Sequence, residues 1–206
     1  MQLKLLLLLA TLGHILCFIC DCWITYTPDG QFNFSIMKDN QKMGALFKNM
    51  SVKNAVLSMM VGLVATIMMS FGYLELSDYV EEYSTVYGTI MYITCCILFP
   101  AMAVHHVTCG ALEWFYVKFD RTQKALDNIV EFFKKTALSM YLGAGGLVVF
   151  AVTLFIAVVS GTIDALPRWA CVFNILVLSL AILPTKLPEK ANLAGTVMYL
   201  GLFFLV

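Results

Sequence analysis

The chain has 206 residues, of which 61% are hydrophobic and 13% are charged, and its formal net charge is zero. Soluble domains are roughly 45–50% apolar and about 25% charged. This composition therefore excludes an ordinary soluble globule and predicts an integral membrane protein. A neutral chain without a basic block also excludes nucleic acid as an expected partner.

Six apolar segments, all predicted to be helical, occupy most of the chain. They cover residues 3–24, 55–74, 87–117, 137–161, 169–183 and 191–206. A helix needs about 20 residues to cross a bilayer, so we predict an all-α, polytopic membrane protein with six transmembrane helices in a single domain, residues 1–206. The third segment contains Pro100 and is predicted to be one long helix, because its two halves are too short to cross.

The basic residues predict the orientation of these segments. Eleven of the 13 lie in the connections after the first, third and fifth segments. The positive-inside rule places these connections in the cytoplasm and both termini outside. Two amphipathic helices are expected on the cytoplasmic side, one over residues 32–50 and one over residues 120–137, leading into the fourth segment. The connection after the second segment is acidic and contains Glu75 and Asp78.

The first and third segments contain ionisable residues, which are costly in a membrane and usually face the interior of a helix bundle. His14 and Asp21 are seven residues apart, as are His106 and Glu113, and Cys109 shares a helix face with the second pair. The distances of these residues from the cytoplasmic ends of the two segments also match. We therefore predict a shared polar pocket in which Asp21 and Glu113 lie at one level.

The two adjacent histidines of the third segment cannot occupy the same place. His105 is turned by about 100° from His106 around the helix axis. We expect His105 at the edge of the pocket or bonded to another helix, and we predict that His106 is the functional histidine.

Three interpretations of these polar residues remain open: hydrogen bonds that hold helices together, a functional cavity near the inner leaflet, and a metal site. A metal site formed by His14, His105 or His106 with a carboxylate would need at least three convergent ligands, and spacing within single helices does not establish these. The spacing of Cys17, Cys20 and Cys22 is typical of metal ligands, but no second Cys/His pair follows at the usual distance. We therefore predict no metal and no cofactor.

Two stretches carry a resemblance to a known group of proteins: "LPRWACVFN", with Pro167, Arg168, Trp169 and Asn174, and "CDCWITYTP", with Asp21 and Tyr26 to Pro28. Both are similar to a loosely defined family of uncharacterised bacterial multi-pass membrane proteins, and the chain departs from that pattern at Ile175, where the family has proline. The resemblance implies six helices and the bacterial inner (cytoplasmic) membrane, and it implies no activity.

Arg168 stands out because it lies on the predicted outer side, where basic residues are few. Glu75 and Asp78 are predicted to lie on the same side. We expect a structural ion pair between Arg168 and one of these acids.

The leading functional hypothesis is a multi-pass membrane protein with a polar pocket between its first and third helices that binds, and could act on, a small lipid-like molecule. A paired acid and histidine would suit proton transfer or double-bond isomerisation on such a molecule. The alternatives are a proton-coupled transporter and a structural component of a membrane complex. Membrane lipids and a small apolar ligand are the expected partners, and the sequence leaves a homo-oligomer open.

Overall fold

The computed structural model describes residues 2–185, 187 and 189–206, and within them the chain is almost entirely helical. Seven α-helices follow in order: α1 Gln2–Thr25, α2 Asn40–Leu46, α3 Val52–Glu81, α4 Thr85–Lys118, α5 Gln123–Val159, α6 Ile175–Ile182 and α7 Lys190–Leu205. Two 3₁₀ helices, Phe34–Lys38 and Arg168–Val172, and a small hairpin of β1 (Tyr26–Thr27) and β2 (Gly30–Gln31) complete the secondary structure. The prediction of an all-α fold is confirmed in this coarse sense.

Within the described residues, four helices are long and apolar enough to cross a membrane: α1, α3, α4 and α5. Their outer faces expose large apolar side chains, including Leu5 on α1, Val64 on α3, Ile93 on α4 and Leu138 on α5, each more than half exposed. Water-soluble monomers rarely present continuous apolar surfaces of this kind. These faces fit contact with lipid chains.

The fifth apolar segment forms a shorter helix than the sequence predicted. The fifth is broken after the 3₁₀ helix, because Asn174 begins a new helix by accepting a hydrogen bond from the backbone N–H of Leu176 at 3.0 Å. The Asn174 amide group also donates to the carbonyl oxygen of Ala151 on α5 at 2.8 Å. As a result α6 has only 8 residues. Helix α7, which corresponds to the sixth segment, has 16 residues.

The helices pack in a continuous series in which α3 lies between α1 and α4, and α4 lies between α3 and α5. On its other side α1 packs against α7, which packs against α6. Helix α7 runs antiparallel to α1: Glu189, at its start, accepts a hydrogen bond from Thr25, and Phe203, near its end, lies under the Lys4 ammonium group. The start of α1 and the end of α7 are therefore at the same end of the bundle.

The connections on the predicted cytoplasmic side differ in their details from the prediction. Residues 32–50 were expected to form one amphipathic helix, and they form a 3₁₀ helix followed by α2. The break arises because Asn33 and Asp39 each cap a new helix start, by accepting hydrogen bonds from backbone N–H groups two or three residues later. The predicted amphipathic helix over residues 120–137 is the beginning of α5, which continues without interruption into the fourth apolar segment.

The segment between α1 and α3 covers one end of α4 and α5. Phe47, which is fully buried, packs edge-on against Tyr116 of α4, and Leu126 and Ile129 of α5 belong to the same apolar cluster. This cluster is separate from the larger core between the long helices. It closes the cytoplasmic end of the bundle in the predicted orientation.

The expected ion pair of Arg168 is not formed. Among the described residues, neither Glu75 nor Asp78 is bridged to this arginine; its guanidinium instead lies beside Gly161, at the end of α5. Helix α3 extends to Glu81, so both acids belong to a helix rather than to the predicted loop. Glu75 accepts a hydrogen bond from Gln2, at 3.4 Å.

Candidate functional site

A cavity of about 650 Å³ lies inside the bundle, between α1, α3, α4, α5 and the start of α7. All six residues that the sequence assigned to a polar pocket line it: His14, Asp21, His105, His106, Cys109 and Glu113. The remaining wall is mostly apolar and includes Met69, Leu98, Phe99, Met102, Leu112, Ile129 and Leu147. The cavity also reaches the exposed residues Phe34 and Ala144, so it is connected to the surface.

Asp21 and His106 form a buried pair across the cavity wall. The Nδ1 atom of His106 lies 3.2 Å from Oδ1 of Asp21, and the side chains are only 9% and 16% exposed. The other ring nitrogen, Nε2, donates to the carbonyl oxygen of Ser58 on α3, at 2.9 Å. Both nitrogens of His106 therefore have acceptors, and this pair joins α1 to α4 through side chains alone.

Glycine at position 62 makes room for this histidine. A Cβ atom at Gly62 of α3 would overlap the imidazole ring of His106. The close approach allows the ring to reach the Ser58 carbonyl group one turn earlier on the same helix.

A second set of hydrogen bonds connects His14 to the same carboxylate. Asn192 of α7 donates from its amide nitrogen to Oδ2 of Asp21 at 3.0 Å. Its carbonyl oxygen lies 3.2 Å from Nδ1 of His14, which must therefore be the donor. The opposite nitrogen of His14, Nε2, lies 3.3 Å from the hydroxyl group of Tyr73, which can donate to it when His14 is neutral. The polar series therefore runs from Tyr73 through His14, Asn192 and Asp21 to His106.

The predicted levels of the polar residues need a correction. Asp21 meets His106 and not Glu113, so α4 is displaced along its axis by about seven residues, or about 10 Å, relative to the prediction. The reason lies at the helix ends: α1 ends at Thr25, whereas α4 continues to Lys118 and is surrounded there by residues 37–50. The number of residues between a polar side chain and the end of its apolar segment therefore did not predict the level at which that side chain lies in the bundle.

Glu113 is the polar residue that this network leaves out. Its side chain is 4% exposed and lines the cavity, and its Oε2 atom has no hydrogen-bond partner among the described residues. Buried polar atoms without a partner are rare and costly, so each one requires an explanation. A cavity next to the carboxyl group supplies one, because a bound molecule can donate to it.

The charged residues in the described cavity wall are predominantly acidic. Three carboxyl groups line it, those of Asp21, Glu113 and Glu189. None of the described lining residues is lysine or arginine. The only basic groups in the described wall are the histidines, and two of these are engaged in the network above. The carboxyl groups of the wall can therefore accept hydrogen bonds from a ligand or bind a cationic group. The described wall has no lysine or arginine that could bind an anionic group.

His105 lies apart from the hydrogen-bonded network. It is half-buried at the cavity edge, its Nε2 atom lies 3.6 Å from the sulfur of Cys109, and its ring packs at 6.2 Å from the ring of Phe133 on α5. It takes no part in the network around Asp21.

Several residues that complete the site were not identified from the sequence. Asn192 and Tyr73 bond His14, and Gly62 and Gly195 provide the space for His106 and His14. The sequence did contain a signal for Asn192, because an amide side chain near the start of an apolar helix needs a hydrogen-bond partner. The cysteines of α1 were also missed as site residues: Cys17, Cys20, Asp21 and His106 each place one potential metal-binding atom within 4.8 Å of the others.

Comparison with known proteins gives one match. The model of a family of unknown function (DUF6796) matches residues 1–202. No curated protein and no solved structure matches the chain.

Proposed function

The chain belongs to a family of unknown function (DUF6796), and we propose, from its cavity, that it is a multi-pass membrane protein that binds a small lipid-like molecule between its helices. The observation that carries the proposal is the Oε2 atom of Glu113, which finds no hydrogen-bond partner in the part of the chain that the structure describes and lies in the wall of a largely apolar cavity. The cavity volume of about 650 Å³ falls within the range of roughly 300–1,000 Å³ that is usual for small-molecule sites.

The walls define the chemical class of the ligand. The methionine, leucine and phenylalanine side chains favour an apolar body, and methionine adapts to irregular shapes. Glu113 favours one hydrogen-bond donor, such as a hydroxyl or an amine group. The described wall lacks lysine and arginine, which disfavours a phosphate or carboxylate head group. The ligand is therefore a neutral or cationic amphiphile.

Access from the bilayer fits the position of the opening. Ala144 lies near the middle of α5, and the residues around it on the outer face of that helix, such as Leu142 and Val148, are apolar and exposed. An opening at such a place faces lipid chains rather than water. A lipid-soluble molecule can enter there without crossing an aqueous phase.

The orientation belongs to the same proposal. The location of both termini outside follows from the distribution of basic residues, and the antiparallel packing of α7 on α1 supports a common side for the termini. The lengths of α1, α3, α4 and α5 support four crossings. The six crossings that the sequence predicts require that the 3₁₀ helix Arg168–Val172 together with α6 makes the fifth and α7 the sixth. In this orientation Glu113 lies towards the cytoplasmic leaflet. The bacterial inner membrane is the location that the sequence resemblance favours.

A proton-coupled transporter is the second candidate. The hydrogen-bonded series of Tyr73, His14, Asn192, Asp21 and His106 supports it, because proton pathways in membranes are built from such side chains. In that case Asp21 would exchange protons with the cavity.

The test is extraction of the purified protein with organic solvent, followed by mass spectrometry of the extract. We expect one class of neutral or cationic amphiphile to be enriched over the lipids of the detergent micelle. Ala144→Phe should deplete this molecule by narrowing the opening. The matched control is Leu142→Phe, because Leu142 is exposed nearby on α5 and does not line the cavity.

Equal lipid profiles for the wild type and both variants would contradict the proposal. They would favour the structural role in a membrane complex. Uptake of a solute into vesicles with accompanying proton flux would favour the transporter instead.

A further inference from the structure

We propose that Cys17, Cys20, Asp21 and His106 bind a zinc ion. One potential ligand atom from each residue lies within 4.8 Å of the other three. Cys17, Asp21 and His106 also line the cavity, but the proposal does not rest on the proposed function, because Glu113, which carries that function, is not one of the four ligands. It replaces the sequence-based expectation of no metal, which considered the cysteines and the histidines separately and not as one set.

The three ligands of α1 share one face of that helix. Residues at i, i+3 and i+4 are neighbours on a helix surface, and this is the spacing of Cys17, Cys20 and Asp21. The fourth ligand is His106 of α4, whose ring fits against α3 because residue 62 is a glycine and has no Cβ atom there. Two helices thus contribute four side chains of the types that zinc prefers.

The distances between ligand atoms are close to those of a tetrahedral site. With Zn–N and Zn–O bonds of about 2.1 Å and Zn–S bonds of about 2.3 Å, the edges of the tetrahedron are about 3.4 Å for N–O and about 3.6 Å for S–O. His106 Nδ1 lies 3.2 Å from Asp21 Oδ1, which is close to the N–O edge. The sulfur of Cys17 lies 3.7 Å from the other carboxylate oxygen, Oδ2, and the sulfur of Cys20 lies 3.7 Å from the other ring nitrogen, Nε2. Metal binding would therefore also require small rotations of the Asp21 and His106 side chains that turn one atom of each towards both sulfurs. The longest distance between two of the four ligand atoms is at most 4.8 Å, and it would have to shorten by about 1 Å to match a tetrahedral edge.

The surroundings of the histidine fit a metal ligand. When one imidazole nitrogen binds a metal, the other usually donates its N–H to a carbonyl or carboxylate group that fixes the ring. If Nδ1 binds the ion, Nε2 is already placed to donate to the Ser58 carbonyl oxygen, at 2.9 Å. The Asn192 amide group, which donates to Asp21 at 3.0 Å, would orient the carboxylate in the same way.

The donor set selects the type of ion. Two sulfur atoms disfavour magnesium and calcium, which take oxygen ligands, and the mixed N, O and S donors suit zinc. Binding would release the thiol protons of Cys17 and Cys20, which are at most 8% exposed. Four protein ligands fill a tetrahedral shell, which is typical of structural rather than catalytic zinc. The ion would strengthen the link between α1 and α4 that Asp21 and His106 form.

The test is the metal content of the full-length protein, purified in detergent from cells grown with zinc and then dialysed against metal-free buffer. We expect one zinc ion per chain in the wild type. Cys20→Ser should lose most of it, and Cys20 is the best choice because it is not part of the cavity wall. Cys96→Ser is the control, since this cysteine is exposed on α4 and should retain full zinc content.

A second measurement covers the case in which Cys20→Ser does not fold. Cobalt added to the metal-free wild-type protein should give the visible bands of a tetrahedral site and a sulfur-to-cobalt charge-transfer band, both abolished by zinc. Wild-type protein that contains no zinc and gives no such spectrum would overturn the proposal. So would undiminished zinc in a folded Cys20→Ser variant.

Discussion

The Nδ1 atom of His106 lies 3.2 Å from a carboxylate oxygen of Asp21, although the helices that carry them are separated along most of their length by α3. Asp21 also accepts a hydrogen bond from Asn192 of α7. One carboxylate therefore connects three helices at the wall of the cavity. Removal of either member of such a pair leaves a buried polar group without its partner.

Asp21→Asn should destabilise the protein by on the order of 3 kcal/mol, because loss of one member of a buried pair leaves the other charge or donor uncompensated. Thermal unfolding in detergent, followed by intrinsic fluorescence, measures the effect. The double variant Asp21→Leu with His106→Leu should lose less unfolding free energy than the sum of the losses in the two single Leu variants. Additive effects would show that the two side chains do not interact.

Gly62→Ala should displace His106, because the added Cβ atom would overlap the imidazole ring. Overpacking of this kind costs about 1–3 kcal/mol, and the lost pairing with Asp21 adds to it. Gly145→Ala is the matched control: nothing lies within 4 Å of its Cβ position, so the better helix propensity of alanine should raise stability by up to about 1 kcal/mol. Similar unfolding temperatures for the two variants would argue against the close approach at Gly62.

Arg168→Ala should change stability by less than about 0.5 kcal/mol, because the side chain is exposed and forms no ion pair with Glu75 or Asp78. The same thermal unfolding assay applies. A decrease of several kcal/mol would mean that this arginine has a buried partner in the membrane.

Topology reporters test the proposed orientation. A reporter fused after Val206 should be active outside the cytoplasm, and one inserted between Lys118 and Gln123 should be active inside it. This pattern follows from the positive-inside rule and from the antiparallel packing of α7 on α1. The opposite pattern would show that the basic residues do not determine the orientation of this chain.

The helices were largely predictable, because long apolar runs have few alternatives in a membrane. The polar residues of α1 and α4 were predictable for the same reason: His14, Asp21, His106 and Glu113 are costly in lipid and have to face the interior. The break at Asn174 also had a local signal, since asparagine is a favoured N-cap residue.

The pairing of the polar residues was not predictable from spacing. Asp21 meets His106 rather than Glu113 because the end of α4 extends past the end of α1, into the cluster around Phe47 and Tyr116. The offset between the ends of α1 and α4 depends on how residues 32–50 pack against α4. The sequence predicted a single regular helix for these residues. The isolation of Glu113 follows from the same offset.

Removal of the carboxyl group of Glu113 tests the central claim most directly. Native mass spectrometry of the detergent-purified protein should show a bound small molecule in the wild type and in Glu131→Gln, which changes an exposed carboxyl group on α5. Glu113→Leu should lower the occupancy by about 2- to 10-fold, the effect of losing one hydrogen bond to the ligand. Its thermal stability without ligand should not fall, because the variant removes a buried oxygen that has no partner among the described residues. Full occupancy in Glu113→Leu, or a ligand-free protein that is strongly destabilised by it, would contradict a ligand-binding role for this cavity.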